Sequence, residues 1–139
     1  MTIRLLEDIS CLESIVDEET YSSIITDESS KVYGIYDDID LIGYIDTEDA
    51  INYSCSKYWD SNSILITNIY INDKHRGFGY AKDAVTLFLV MNDDISIFIE
   101  NISDKYLDWY LSIGFIDEQE ILVKPKKKDN DEDLQKETQ

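Results

Sequence analysis

The segment Ile69-Tyr-Ile-Asn-Asp-Lys-His-Arg-Gly-Phe-Gly-Tyr-Ala81 holds the residue types best suited to chemistry. It reads as a strand end, a loop carrying Gly77 and Gly79, and a helix start. Glycines at such a loop let backbone N–H groups approach a ligand with no Cβ in the way. A helix N-terminus adds partial positive charge. Together they make a cradle for an anion of the pyrophosphate kind. Lys74, His75, Arg76 and Lys82 sit in or beside it. The P-loop pattern G-x-x-x-x-G-K-[ST] is absent. The dinucleotide fingerprint G-x-G-x-x-G is half met, with Lys82 at the third glycine position and Glu100 where a ribose-binding acid would sit. However, the loop before Gly77 is too long for that tight turn. The 39 residues after Glu100 are also too few to finish a dinucleotide-binding sheet.

The charge distribution makes this segment conspicuous. The 139 residues carry 30 acidic and 12 basic side chains, a net charge of −18. Residues 124–139 hold five of each sign, so the excess falls on residues 1–123, with 25 acids and seven bases. Three of those seven bases, Lys74, Arg76 and Lys82, fall within nine residues. An anionic ligand of an acidic body needs such a local exception. The balance argues against a basic nucleic-acid reader and a polybasic membrane-surface protein, so neither nucleic acid nor membrane is expected as a partner.

Other classes fall away by count. Cys11 and Cys55 have no metal or redox spacing and are expected as two buried thiols in a reducing cytosol. His75 is the only histidine, so neither a zinc site nor a Ser-His-Asp triad is supported. The start, MTIRLLEDIS, lacks an apolar signal region, and no run of 18 apolar residues exists. The chain is read as soluble, unprocessed and cytoplasmic, with one domain at this length.

The elements that must hold the loop follow from hydrophobic period. Ile3–Leu6 is a short first strand. Asp8 is expected to cap a helix with Leu12, Ile15 and Val16 on one face, and Tyr21, Ile24 and Ile25 continue the period in a second helix. Asp27–Ser30 reads as loop. Val32–Tyr36 and Leu41–Asp46 form a hairpin. Residues 47–62 look polar and irregular, with Tyr58 and Trp59 either lining a site or forming satellite core. Ser63–Ile71 is a buried central strand. Gly79–Met91 places Ala81, Ala84, Val85, Phe88 and Leu89 on one helical face. Ile95–Ile99 is another strand, and Ser103 can cap a helix that stops at Gly114. Phe115–Ile116 and Ile121–Val123 make a last pair. Residues 125–139 have one apolar residue of weight, Leu134, and are expected to be a disordered tail. The fold class is α/β with a mixed sheet, antiparallel in its first half and βαβ in the middle.

Lys74 to Ala81 reads K-x-x-G-x-G-x-A and resembles the acetyl-CoA signature Q/R-x-x-G-x-G/A of the GNAT superfamily of N-acetyltransferases. Tyr110-Leu-Ser-Ile-Gly-Phe115 resembles that family's Y-x-x-x-G-F element at the right distance. Lys74 stands for the usual Gln or Arg. Ser103 stands where the family often has Asn, with Asn101 two residues earlier, and Tyr106 replaces a usual small residue. The resemblance implies a central sheet splayed beside residues 69–71, in a domain over residues 1–124. It implies acetyl-CoA as co-substrate, its arm held by the backbone of Ile69, Tyr70 and Ile71. N–H groups of Arg76, Gly77, Phe78, Gly79, Tyr80 and Ala81 would take the pyrophosphate, with Lys74 and His75 beside it and Ser103 at the orienting position. It also implies direct attack by a primary amine, with Tyr110 returning a proton to the leaving thiolate. Glu100 is the first choice for the base; Asp104, or a water relayed through Asn68 or Thr67, is the second. The acidic body would suit a cationic amine acceptor, a small molecule or a protein. The rival expectation is a non-catalytic acidic interaction module, or a component of a larger assembly, on the same fold.

Overall fold

The computed structural model describes residues 1–25, 30–100 and 102–127. Seven strands are present among them: β1 (Thr2–Leu5), β2 (Lys31–Asp37), β3 (Asp40–Asp49), β4 (Ile64–Ile71), β5 (Ile97–Glu100), β6 (Ile116–Asp117) and β7 (Ile121–Lys124). Three α-helices, α1 (Glu18–Ile25), α2 (Tyr80–Met91) and α3 (Asp104–Ser112), are interspersed with them. The strands make one sheet in the order β1-β2-β3-β4-β5-β7-β6. Every pairing is antiparallel except β4 with β5, the two strands joined through α2. The mixed α/β architecture read from the sequence is the one observed.

Alternation along the strands divides the core. Ile45, Ile66, Ile97 and Ile99 face α2 and α3, packing with Ala84, Val85, Phe88 and Tyr110. On the other face Tyr44 and Val32 pack with Leu12 and Ile24, while Leu65 and Phe98 pack with Ala50, Tyr53, Tyr58 and Trp59. Tyr58 and Trp59 are thus satellite core.

Several expectations change. Residues Ile9–Ser14 form a 3-10 helix, not an α-helix, with the Asp8 carboxylate accepting from Ser10 N–H at 2.9 Å. The strand expected to end at Asp46 runs on to Asp49, because Thr47, Glu48 and Asp49 find partners in Ile66, Leu65 and Ile64. Thr47 is buried there, and its hydroxyl donates to Lys31 O at 2.9 Å, which removes the cost of a polar group inside. Ser103 occupies the cap position of α3, but its side chain makes no cap bond. Ala81 is exposed, one turn before the buried face of α2 begins at Ala84. Both cysteines are exposed and free, not buried: the 3-10 helix buries Leu12 and leaves Cys11 outside, and Cys55 sits in a turn. Of the expected loop Asp27–Ser30, only Ser30 is among the described residues. Asn101 and residues 128–139 of the expected tail lie outside them too. Residues 126 and 127 are still tied to the body, through Lys126 N to Ser96 Oγ at 3.1 Å and Lys127 N to Asp93 O at 2.7 Å. No helix among the described residues is long and apolar enough to cross a membrane.

Candidate active site

The parallel join between β4 and β5 is only three residues long: Ile64, Leu65 and Ile66 face Ile97, Phe98 and Ile99. It ends at an irregularity. Asp46 pairs with Asn68 and Thr47 with Ile66, so Thr67 is the extra residue of a bulge. Its hydroxyl donates to Asp46 O at 3.1 Å. Beyond it β4 follows β3 and no longer pairs with β5. The Asn72 N–H donates to Ile42 O at 2.8 Å on the β3 side. By the two-residue alternation of an antiparallel ladder, the N–H and C=O of Ile69 and Ile71 therefore turn to the open edge. The Ile71 carbonyl is taken there by Arg76 Nε at 2.8 Å.

The open edge borders a cavity of about 610 Å³, lined by Ile69–Ile71, His75, Arg76, Gly77, Gly79–Lys82 and Tyr106. Gly77 and Gly79 have φ of +87° and +80°, which side-chain-bearing residues adopt only under strain. A Cβ on either would meet nothing within 4 Å, so the space over the loop is open. Gly79 is the N-cap of α2, with no side-chain cap, and the first helical bond runs from Asp83 N to Gly79 O at 3.1 Å. The N–H groups of Tyr80, Ala81 and Lys82 therefore have no acceptor within the helix. These N–H groups lie where the sequence placed the expected anion cradle.

The side chains expected around the cradle are not equivalent. Arg76 pairs with Asp73 at 2.6 Å and lies 5.3 Å from the Tyr70 ring centroid. His75 meets Asn72 through Nδ1, and Tyr80 OH donates to Asp37 Oδ2 at 3.0 Å. Lys82 Nζ lies 5.5 Å from the Trp109 ring centroid, at the cavity wall. Lys74, Phe78 and Ser103 do not line it; all three are exposed, Phe78 at 72%.

Deeper along β4, a second cavity of about 260 Å³ shares Ile69, Ala81, Lys82 and Tyr106 with the first and adds Val85, Trp109 and Tyr110. The sequence positions Tyr110 through the end of α3. Gly114 takes φ +110°, and Phe115 N–H turns back to Tyr110 O at 3.2 Å, which closes the helix. The Tyr110 ring is held edge-on by Trp109 at 4.9 Å and by Phe115 at 5.4 Å. Burial, then the neighbouring Tyr106, pushes its phenol above the ordinary value. It therefore stays protonated at neutral pH.

The other face of the sheet is different. A cleft of about 500 Å³ lies between α1 and the β3–β4 pair, lined by Glu19, Thr20, Ser23, Ile24, Tyr44, Asp46, Glu48, Thr67 and Asn68. Asn68 donates to Tyr44 OH at 3.1 Å, and burial, then Asp46, pushes the Tyr44 phenol up to about 12. Glu100 belongs to this face. Tyr53 stacks on Phe98 at 5.7 Å, two residues before Glu100, and its hydroxyl donates to Glu100 Oε2. That bond, followed by burial and the charges of Glu100, Glu120 and Glu48, pushes the Tyr53 phenol up to about 12. Glu100 and Tyr110 are thus not brought together; they lie on opposite faces of the sheet. Asp104 lines a pocket of about 220 Å³ with Asp117 and Glu120, to which neither Glu100 nor Tyr110 contributes. Among the described residues no cluster of His, Cys, Asp or Glu is arranged to hold a metal.

Sequence reasoning missed Glu19, Asp46, Glu48 and Tyr53. The period-two alternation of Tyr44, Asp46 and Glu48 was a usable signal for one shared face. Nothing local in the sequence linked Tyr53 to a residue 47 positions away.

No protein-family model and no curated protein matches the sequence. Solved structures do. A structure of a KacTA–DNA complex superposes with a TM-score of 0.61 over 98% of both chains at 18% identity. GCN5 of Tetrahymena gives 0.62 over 88% of this chain and 94% of its own, at 9% identity. A GNAT family acetyltransferase from Elizabethkingia anophelis, with acetyl-CoA bound, gives 0.53 over 83% and 75%, at 19% identity. The chain has the GNAT acetyltransferase fold. The splayed sheet expected from the Lys74–Ala81 and Tyr110–Phe115 motifs is the GNAT sheet. One expectation is overturned: this fold occurs in an assembly with DNA, so nucleic acid is not to be struck from its partners. The physical reason is that net charge constrains the surface of one chain. It does not constrain a partner chain that brings its own basic contacts.

Proposed function

We propose that the protein is an acetyl-CoA-dependent N-acetyltransferase acting on the primary amine of a cationic acceptor, a small molecule or a protein. The observation that carries this reading is the β4 edge that β5 leaves open, bordered by two cavities that share Ile69, Ala81, Lys82 and Tyr106, one reaching the Gly77–Gly79 loop and the other Tyr110. Likeness to acetyltransferases of known structure supports it at the level of fold.

Acetyl-CoA supplies an acyl carbon activated as a thioester. The N–H groups at the start of α2 and the Lys82 ammonium hold the pyrophosphate, and the Ile69 N–H and C=O hold the arm as a neighbouring strand would. The acceptor enters from the opposite face, where Glu19, Asp46 and Glu48 favour a cation. An alkylamine is only about one part in 2,500 neutral at pH 7, so one proton must leave before attack. Glu100 takes it, directly or through water. The amine nitrogen then bonds to the carbonyl carbon, the C–S bond breaks, and Tyr110 gives its proton to the departing sulfur; the nitrogen sheds its second proton to solvent, and solvent restores the Tyr110 phenol. Acid and base on opposite faces let each act on its own substrate.

Calorimetry with acetyl-CoA is the direct test. Micromolar binding that is lost in Gly77→Glu, together with thiol release in the presence of spermidine or a lysine peptide, is the expected result. No binding at millimolar acetyl-CoA overturns the reading. Binding with no turnover on any amine leaves the fold as an interaction module.

A further inference from the structure

Residues 50–63 cross the sheet as a strap between β3 and β4. Its two ends meet where Ala50 N–H donates to Ser63 O at 3.4 Å. Short turns fill it, through Tyr53 N to Ala50 O at 3.0 Å and Ser56 N to Tyr53 O at 2.9 Å. The strap is fixed to the body at separate places. Ser56 Oγ donates to Glu118 Oε1 at 2.7 Å, Asp60 pairs with Lys126 at 3.1 Å, and Tyr53 reaches Glu100.

These tethers differ in kind. Ser56 and Asp60 reach the β6–β7 turn and the residues after β7. Tyr53 alone reaches the end of β5, the strand that parts from β4 at the bulge. Its ring stacks on Phe98, so the position of its hydroxyl oxygen is set by packing. Its hydroxyl uses Oε2 of Glu100, and Oε1 takes no bond from a described residue. A glutamate on a strand end can rotate about three side-chain bonds, and a bond from a rigid donor restricts that freedom.

We infer that Tyr53 is the positioning residue for Glu100: it holds the carboxylate by one oxygen so that the other meets the acceptor amine or its relay water. The inference rests on Glu100 being the base of the proposed reaction. Tyr53 does not touch the reacting atoms. It keeps its own proton, because its phenol is pushed up to about 12, and so remains a donor to the carboxylate throughout the working pH range.

The test is a double-mutant cycle read in kcat, with acetyl-CoA and spermidine as substrates. Glu100→Gln is expected to lower kcat by about 10²- to 10⁴-fold. Tyr53→Phe keeps the stacked ring and is expected to lower kcat by about 10- to 100-fold, with KM for acetyl-CoA unchanged. In the Glu100→Gln background, Tyr53→Phe should have no further effect. Ser56→Ala cuts a different tether of the same strap and should leave kcat within about twofold of wild type. If Glu100→Gln retains full kcat, both the assignment of the base and this inference fall. If Glu100→Gln is impaired while Tyr53→Phe is not, the inference alone falls. An equal loss in Ser56→Ala, or additive losses in the double variant, would mean that Tyr53 merely anchors the strap, and would likewise overturn it.

Discussion

Removing one oxygen atom at Tyr110 separates chemistry from packing more cleanly than any other change in this protein. The ring sits in the core at 8% exposure, with edge contacts to Trp109 and Phe115. Tyr110→Phe keeps all of that surface. Tyr110 lines the inner cavity, and no hydrogen bond contributes to the raised pKa of its phenol. The folded state should therefore change by less than about 1 kcal/mol. A proton donor in the transition state contributes about 10²- to 10⁴-fold. That corresponds to about 2.7–5.4 kcal/mol of barrier. The expected variant is a well-folded protein with wild-type acetyl-CoA affinity and kcat lower by at least about 100-fold. Thiol release measures kcat, calorimetry measures Kd, and a thermal melt checks the fold. Tyr110→Ala would mix in a cavity cost of about 3–5 kcal/mol and decide nothing. The sign of the pH effect is also fixed. Burial raises the phenol above its ordinary value near 10, so the acid stays protonated below that pH. An alkaline fall of kcat centred below pH 9 that disappears in Tyr110→Phe would refute the account of its environment. A variant with kcat within threefold of wild type would remove Tyr110 from the chemistry altogether.

Gly77→Ala places a side chain at φ +87° with nothing to clash against, so its cost is backbone strain of about 1–2 kcal/mol. It should lower Tm by roughly 3–8 °C and weaken acetyl-CoA binding measured by calorimetry. Gly43→Ala is a different kind of injury. Its Cβ would lie 2.0 Å from the Tyr70 carbonyl oxygen, so β3 and β4 must separate. Destabilisation at or above the ~1–3 kcal/mol typical of overpacking should appear as loss of the folded fraction in a urea melt. The Tyr44 phenol, pushed up to about 12 in the folded state against 10 in the unfolded chain, contributes stability that is complete below pH 10. That stability is lost as pH climbs from 10 toward 12. Urea melts across this window should show a falling midpoint, shallower in Tyr44→Phe.

The elements around the cradle were legible because their signals are local. Five of the eight residues of Ile64–Ile71 are β-branched, and after the glycine loop the period changes to that of α2. Gly77, Gly79 and Gly114 mark the three backbone positions with positive φ that the site uses. The motif spacing from Lys74 to Phe115 carried the fold. What was not legible depends on residues far apart in the chain. Thr47, Glu48 and Asp49 look like a polar loop until Ile64–Ile66 supply their ladder. Glu19 reaches the same cleft as Asp46 and Glu48 only because the 3-10 turn at Ile9–Ser14 sets α1 over the sheet. Glu100 was named from its strand end, but its face followed only from Tyr53 and Phe98. Lys74 and Phe78 fit the motif by spacing, yet the turn at Asp73–His75 and the left-handed glycines aim them outward.

The three-residue join between β4 and β5 has a thermodynamic side as well. A ladder this short leaves the two parts of the sheet, β1–β4 and β5–β7–β6, sharing few main-chain bonds. A ligand that lines the open edge of β4 becomes part of the sheet and a clasp between the two parts. Folding and ligand occupancy are then one coupled equilibrium. At a ligand concentration of 100 Kd the linkage adds about 2.7 kcal/mol to the folded state. The amides of Ile69 and Ile71 should lose fast hydrogen exchange on binding, the main-chain record of a sheet being completed by something that is not protein.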